Sequence, residues 1–199
     1  MALLGPHPPP PSNPKTLKLA PLIAKRVEPL YRIHRVRQAP LFYGKTGNNR
    51  FDAPAREFGV LYASFTPEGA FIETFGHATG VRLIEERELA MRALAKLHAN
   101  KPLRLVDLTG KGLARVGADA RLFAGEHGVA QLWSRTLHDH PEKADGILYL
   151  ARHDPRQPCA AIFDRARPVI SATTQGSLID ASMVSLVQSL LDEYDFGLV

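Results

Sequence analysis

Apolar and polar residues alternate with a period of two along two segments, "EPLYRIHRV" (28–36) and "GVLYASF" (59–65). Because successive side chains of a strand point to opposite faces, this alternation predicts two β-strands. In the first strand, polar side chains such as Arg32 fall on a face that should be half-buried, which suggests that the strand borders a pocket. The segment between the strands is rich in glycine and asparagine, and we interpret it as a long irregular loop with a functional role.

The residues after the second strand predict a short helix. Thr66 is a suitable N-cap, Pro67 fits the first helical position, Glu68 suits the positive end of the helix dipole, and Gly76 can end the helix. Glu73 then lies about two turns into an otherwise apolar helix. A lone carboxylate in that setting lies either at the solvent edge of the helix or at a site where chemistry requires it.

Later periodicities predict a short strand over residues 81–84, a helix over 84–100 and a strand over 102–110. They then predict a helix over 127–140, two strands over 145–152 and 158–164, and a C-terminal helix over about 177–195. Strands and helices interleave without a regular βαβ rhythm. We therefore expect an α+β fold of mostly antiparallel sheets with flanking helices.

The 199 residues favour one domain, over residues 16–199, after a tail over residues 1–15 that holds six of the 16 prolines. Such a tail should be an extended polyproline segment. The sequence contains neither a secretory signal nor an apolar run of membrane-spanning length, and Cys159 is its single cysteine, so we expect a cytoplasmic protein without disulfides.

The formal charge of +5 raises the possibility of nucleic-acid binding. The basic residues are scattered along the sequence, so we expect no direct contact with nucleic acid; an anionic small substrate or an acidic protein partner suits this charge as well. No cysteine or histidine spacing indicates a metal site. Neither Gly44-x-x-Gly47 nor Gly110-x-Gly112 shows the strand–loop–helix setting of a phosphate-binding loop.

Four residues remain as candidates for chemistry: Arg32, Arg50, Tyr62 and Glu73. Arginine offers a planar fork for phosphate or ribose oxygens, and tyrosine offers a flat face for a pyridinium or purine ring. A carboxylate beside an anomeric carbon stabilises an oxocarbenium-like transition state. Each residue also has an ordinary structural interpretation, as a solvated arginine, a core tyrosine or a carboxylate at a helix edge.

The ordered pieces "LYRIHR", "NRFDAP", "GVLYAS", "TPEGAFIET", "LRLVDLTG", "ADGILYLARHDP" and "CAAIFDR" resemble the RES domain, the toxin of a bacterial toxin–antitoxin pair, over about residues 28–165. The resemblance implies the fold of ADP-ribosyltransferase toxins of the diphtheria type. It also implies breakage of the nicotinamide–ribose bond of NAD+ as substrate, with no metal. ADP-ribose would then pass to a protein side chain, to phosphate or to water.

The family's two arginines fall on Arg32 and Arg50, its aromatic residue on Tyr62 and its glutamate on Glu73. The resemblance implies that Glu73, Arg32 and Tyr62 are catalytic and that Arg32, Arg50 and Tyr62 bind NAD+. The family's serine, expected in the same binding site, is replaced by Ala151.

Three explanations of Ala151 stay open: a natural variant in which Ser64, Ser134 or Arg152 compensates, an attenuating change, or a shifted alignment.

The resemblance further implies a helical, DNA-binding Xre-type antitoxin that covers the NAD pocket. We favour a protein as acceptor, because the loop over residues 39–58 is long enough to recognise one. Two other hypotheses are a non-catalytic basic interaction module and another nucleotide-using enzyme, such as a nucleoside hydrolase.

Overall fold

The computed structural model describes residues 7–78 and 80–199. Its strands are β1 Ile23–Arg26, β2 Leu30–Arg35, β3 Val60–Ser64, β4 Leu83–Ile84, β5 Arg92–Ala99, β6 Leu103–Asp107, β7 Gly146–Leu150, β8 Pro158–Phe163, β9 Ile170–Ser177 and β10 Gly197–Leu198. Its α-helices are α1 Pro67–Phe75, α2 Glu86–Ala90, α3 Lys111–Val116, α4 Arg121–Ala124, α5 His127–Asp139 and α6 Val184–Glu193. Short 3₁₀ turns occupy Pro14–Thr16, Ala20–Leu22, Asp164–Val169 and Ala181–Met183.

Within the described residues, eight strands form one sheet in the order β1-β6-β7-β8-β3-β2-β5-β9, and β10 pairs with β4 in a small second sheet. All neighbours in the large sheet are antiparallel except β6 and β7. The expected α+β fold with mostly antiparallel pairing is therefore confirmed. No helix in the described part of the chain is long and apolar enough to cross a membrane.

Helix α1 forms as the sequence predicts. The hydroxyl of Thr66 caps it by accepting the N–H of Gly69 at 3.0 Å, Pro67 is its first residue, and Gly76 follows its end. Gly69 is needed for close packing on β3, since a Cβ at this position would lie 2.1 Å from the hydroxyl oxygen of Ser64. This close approach holds α1, and with it Glu73, against the sheet.

The predicted helix over residues 84–100 is wrong beyond Ala90. Only α2 is helical, and the eight residues after Met91 form β5, a strand that pairs with β2 on one side and β9 on the other. Alanine, leucine and lysine are good helix formers, but this preference is weak and pairing on both edges overrides it. The preceding strand is limited to β4, shorter than the expected 81–84.

The C-terminal helix also begins later than the expected residue 177. The chain pairs in β9 as far as Ser177, and the carboxylate of Asp180 accepts the N–H of Ser177 at 2.7 Å in the turn that follows. Helix α6 therefore spans only Val184–Glu193. Strands β1, β9 and β10 are not predicted from the sequence.

The glycine pair Gly110 and Gly112 does connect a strand to a helix, contrary to the sequence interpretation, because it joins β6 to α3. Gly112 packs so closely that a Cβ would lie 1.9 Å from the carbonyl oxygen of Asp107. The absence of a side chain at Gly112 therefore allows α3 to pack closely against the carbonyl of Asp107 at the end of β6.

The described part of the proline-rich tail lies on α5. The indole N–H of Trp133 donates to the carbonyl of Pro8 at 3.0 Å. Just beyond the tail and the helix, His140 contacts the carbonyl of Leu17 at 3.2 Å. Residues 1–6 of the tail lie outside the described residues.

Candidate active site

A cleft of about 470 Å³ opens where α1, β2, β3 and β7 meet. Arg32 from β2, Tyr62 from β3, Glu73 from α1 and Arg50 from the loop before β3 all line it. The structure thus brings together four candidates that are dispersed through the first part of the sequence. The volume lies within the usual range for small-molecule sites, about 300–1,000 Å³.

The charge of the cleft is strongly positive. Arg92 and Arg152 line it together with Arg32 and Arg50, and Glu73 is the single carboxylate among its described lining residues. Basic residues that are scattered in the sequence are therefore concentrated here by the fold. A cleft of this charge attracts an anionic ligand.

Glu73 is held by one hydrogen bond to each carboxylate oxygen. The hydroxyl of Tyr149 donates to Oε2 at 3.3 Å, and the backbone N–H of Arg152 donates to Oε1 at 3.1 Å. Both partners come from the end of β7 and the residues just after it. Glu73 is therefore neither a free helix-edge carboxylate nor fully buried, and its orientation is fixed at the cleft wall.

Arg32 lies deep in the cleft, and its guanidinium donates to the carbonyl of Tyr62. Burial lowers the pKa of Arg32 to about 10, so the side chain stays charged at neutral pH. Its Nε is buried without a hydrogen-bond partner among the described residues. An unpaired buried N–H of this kind fits a site that is completed by an oxygen of a ligand.

Tyr62 lines the cleft, and two hydrogen bonds hold its hydroxyl. The hydroxyl donates to Asp52 at 3.0 Å and accepts the N–H of Phe51 at 2.9 Å. Burial, followed by the charge of Asp52, raises the pKa of Tyr62 well above its ordinary value, so the hydroxyl stays protonated. The tyrosine ring is thereby fixed to the loop that carries Arg50.

That loop is tied to the rest of the protein from both sides. Arg50 donates to the carbonyl of Gly125 at 2.7 Å, beside α4. From α5, the side chain of Gln131 donates to the backbone carbonyls of Gly47 and Asn49. The hydroxyl of Ser134, also on α5, donates to the backbone carbonyl of Phe51. The long irregular segment is therefore an ordered wall of the cleft.

Ala151 does not line the cleft. It is 2 % exposed, and its backbone N–H donates to the carbonyl of Gln157 at 2.9 Å. Of the residues proposed to compensate for the missing serine, Ser64 lines the cleft, but its hydroxyl donates to the carbonyl of Pro158. The hydroxyl of Ser134 is also engaged, as described above, whereas Arg152 contacts Glu73 through its backbone.

Among the other residues that line the cleft, sequence reasoning missed Tyr149, Arg92 and His153. Tyr149 lies two residues before position 151, where the serine is expected, and an extended chain would direct both side chains to the same side. This was the one available signal for Tyr149. Arg92 was hidden by the wrong assignment of a helix to β5.

Comparison with known proteins agrees with this architecture. The family model of the RES domain matches residues 29–183. This chain belongs to the RES domain family. A curated relative, the "Probable toxin y4kH" of Sinorhizobium fredii (strain NBRC 101917 / NGR234), is 35% identical over 114 residues, which cover 56% of this chain and 87% of the relative.

A solved structure shares the fold. A chain in the crystal structure of the M. tuberculosis MbcT–MbcA toxin–antitoxin complex superimposes with a TM-score of 0.63 at 16% identity, over 85% of this chain and 92% of that one. The likeness shows that the RES fold extends over most of the described residues.

Proposed function

We propose that this RES-domain chain is the toxin of a toxin–antitoxin pair and acts in the cytoplasm by cleaving the nicotinamide–ribose bond of NAD+. The observation that carries the proposal is the convergence of Arg32, Arg50, Tyr62 and Glu73 on one positively charged cleft. The names of the curated relative and of the solved complex support the toxin role.

The residues fit the parts of a dinucleotide. Arg32 and Arg50 supply two guanidinium groups for pyrophosphate or ribose oxygens, and the unpaired Nε of Arg32 offers a further donor. Tyr62 offers its face to the pyridinium ring, where stacking and cation–π attraction both contribute. The protein residues alone supply the charge that this binding requires.

Glu73 supplies the catalytic charge. Held at both oxygens, its carboxylate contacts the ribose hydroxyls and stabilises the positive charge that develops at the anomeric carbon as the C–N bond lengthens. The electron pair of that bond leaves with nicotinamide, whose ring becomes neutral. The departure therefore requires no general acid.

We propose a protein as the acceptor of ADP-ribose. Asn49 and Arg50 belong to the ordered loop and line the cleft, and its residues 45–49 are mostly exposed beside them. An acceptor protein that contacts this loop would reach the anomeric carbon opposite the departing ring. Phosphate and water are the competing acceptors, and the product distinguishes them.

We also propose that a helical antitoxin of the Xre type covers the cleft. The excess of arginine over carboxylate in the cleft suits an acidic segment of such a partner. Mixing purified antitoxin with the chain should abolish access of NAD+ to the cleft.

The test is nicotinamide release from NAD+ by the purified chain, with cell lysate, phosphate or buffer alone as the acceptor source. Glu73→Gln should lower kcat by about 10²–10³-fold, as removal of a preorganised electrostatic group does. Glu68→Gln is the matched control, because Glu68 lies on the same helix α1 and does not line the cleft. Mass analysis of the ADP-ribose product then identifies the acceptor.

Two outcomes would contradict the proposal. If Glu73→Gln and Glu68→Gln release nicotinamide equally fast, Glu73 is not catalytic. If the wild-type chain releases none under any condition, the enzyme hypothesis fails. A basic interaction module would then remain, recognisable by binding to an acidic partner that weakens steeply with salt.

A further inference from the structure

The side chain of Tyr149 makes the one side-chain hydrogen bond to Glu73 in the described structure. Its hydroxyl donates to Oε2 at 3.3 Å, across 76 residues of sequence. The other cleft tyrosine with an engaged hydroxyl, Tyr62, directs that hydroxyl to Asp52 and Phe51 instead. The two tyrosines therefore have separate tasks at the same cleft.

The ring of Tyr149 is held so that its hydroxyl has little freedom. It packs edge-on against Phe51, with ring centroids 5.1 Å apart, and at a tilt of 35° against Phe123, with centroids 6.2 Å apart. The residue is 5 % exposed and pairs with Cys159 across β7 and β8. A rigid strand residue of this kind fixes a hydrogen-bond donor more accurately than a loop residue does.

The phenol stays a donor over the working pH range. Burial, and after it the neighbouring Cys159 and Glu73, raises the pKa of Tyr149 well above its ordinary value. A protonated phenol beside a carboxylate can only donate to it, so the polarity of this contact is fixed.

We propose that Tyr149 is a positioning residue for Glu73, and the proposal rests on the proposed cleavage of NAD+. Together with the backbone N–H of Arg152, its hydroxyl sets the plane of the Glu73 carboxylate toward the anomeric carbon. Each carboxylate oxygen has one donor, which fixes the plane while leaving lone pairs for ribose hydroxyls. Tyr149 lies on β7, two residues before Ala151, the position at which the resemblance places the family serine.

A positioning role predicts a specific kinetic signature. The positive charge that Glu73 stabilises develops only in the transition state, so a misdirected carboxylate should lower kcat more than it raises the KM for NAD+. Tyr149→Phe should therefore lower kcat about tenfold. This factor is at the lower end of the range expected for loss of a hydrogen bond to a charged group, because the hydrogen bond between Tyr149 and Glu73 is long. A role in folding alone would lower thermal stability without this selective loss.

The experiment compares Tyr149→Phe with Tyr43→Phe in nicotinamide release and thermal unfolding. Tyr43 is also buried, but its hydroxyl has no hydrogen-bond partner within the described residues and it does not line the cleft. Tyr43→Phe makes the same chemical change and should retain wild-type kcat. Tyr149→Phe should then be introduced into Glu73→Ala, where it should change the residual rate by less than about twofold, because the pair acts as one unit.

Three results would overturn the proposal. A wild-type kcat in Tyr149→Phe would show that the hydroxyl does not position Glu73. A tenfold further loss in the Glu73→Ala background would show that Tyr149 acts through another group. No release by the wild-type chain would remove the proposed function and this inference with it, whereas the first two results leave NAD+ cleavage standing.

Discussion

Replacement of Asp52 by asparagine tests how the loop before β3 holds Arg50 in the cleft. Asp52 is completely buried, and its carboxylate accepts four hydrogen bonds. The hydroxyl of Tyr62 donates to Oδ1 at 3.0 Å. The hydroxyl of Thr46 and the backbone and side-chain nitrogens of Asn49 donate to Oδ2 at 2.9, 3.2 and 3.1 Å. One side chain thus joins the strand that carries Tyr62 to the loop residue before Arg50.

The size of the effect follows from these four contacts. Asparagine keeps the shape of aspartate but replaces one acceptor oxygen by an NH₂ donor. If its carbonyl faces the three donors on the loop, the hydroxyl of Tyr62 loses its acceptor, and the three remaining bonds lose the benefit of a charged acceptor. Since a hydrogen bond to a charged group contributes about 1.5–3 kcal/mol, we expect the free energy of unfolding to fall by about 3 kcal/mol. For a domain of this size the melting temperature should fall by roughly 6–12 °C.

The assay pairs unfolding with kinetics. Asp52→Asn should raise the KM for NAD+, because the loop that carries Arg50 is held less firmly, and should change kcat less. Asp192→Asn is the control: Asp192 is exposed on α6 and accepts from Gln188 at 2.8 Å, so its replacement should change stability by less than about 0.5 kcal/mol. Wild-type stability in Asp52→Asn would refute the hydrogen-bond argument, and lower stability with unchanged KM would show that Asp52 does not position Arg50.

Helix α1 could be predicted because its signals are local. Thr66, Pro67 and Gly76 lie within a few residues of the ends they define, and each acts through the backbone of its own helix. The position of Glu73 in the helix followed from the same signals. Its contact with Tyr149 did not, because a hydrogen bond between residues 76 apart depends on how α1 packs over the sheet.

The errors in the fold have a similar origin. The segment that becomes β5 has the composition of a helix, and only its pairing with β2 and β9 makes it a strand. Strand β9 is an edge strand whose residues are mostly polar and half of them exposed, so it lacks the apolar alternation that predicts a strand. Strand β1 is four residues long, too short for a periodic signal.

The charge of the cleft illustrates why composition alone is a poor guide to a binding surface. Arg32, Arg50, Arg92 and Arg152 lie far apart in the sequence, which argued against a basic cluster. They reach one cleft because β2, the loop before β3, β5 and the segment after β7 meet around α1. The type of ligand that this charge favours became apparent only from the fold.

Two further predictions concern the missing serine and the response to acid. Ala151→Ser should leave kcat and the KM for NAD+ within about twofold of wild type while lowering the melting temperature, because position 151 is buried, does not line the cleft, and burial of a hydroxyl is unfavourable. A large gain in kcat/KM would show that the serine reaches the ligand. For acid, the relevant group is His138, which stacks on Phe58 with ring centroids 3.9 Å apart and whose pKa is lowered by burial from its ordinary value of 6.5. Above pH 6.5, His138 is neutral in both the folded and the unfolded chain, so its contribution to stability is fully present. As the pH falls below 6.5, His138 is protonated first in the unfolded chain, because burial disfavours the charged form in the folded chain. The contribution of His138 to stability is therefore lost as the pH falls toward its lowered pKa in the folded chain. Between pH 7.5 and 5.5, the melting temperature should therefore fall less steeply in His138→Gln than in wild type. The control is His98→Gln, because His98 is exposed. Equal slopes of melting temperature against pH in all three proteins would contradict the assignment to His138.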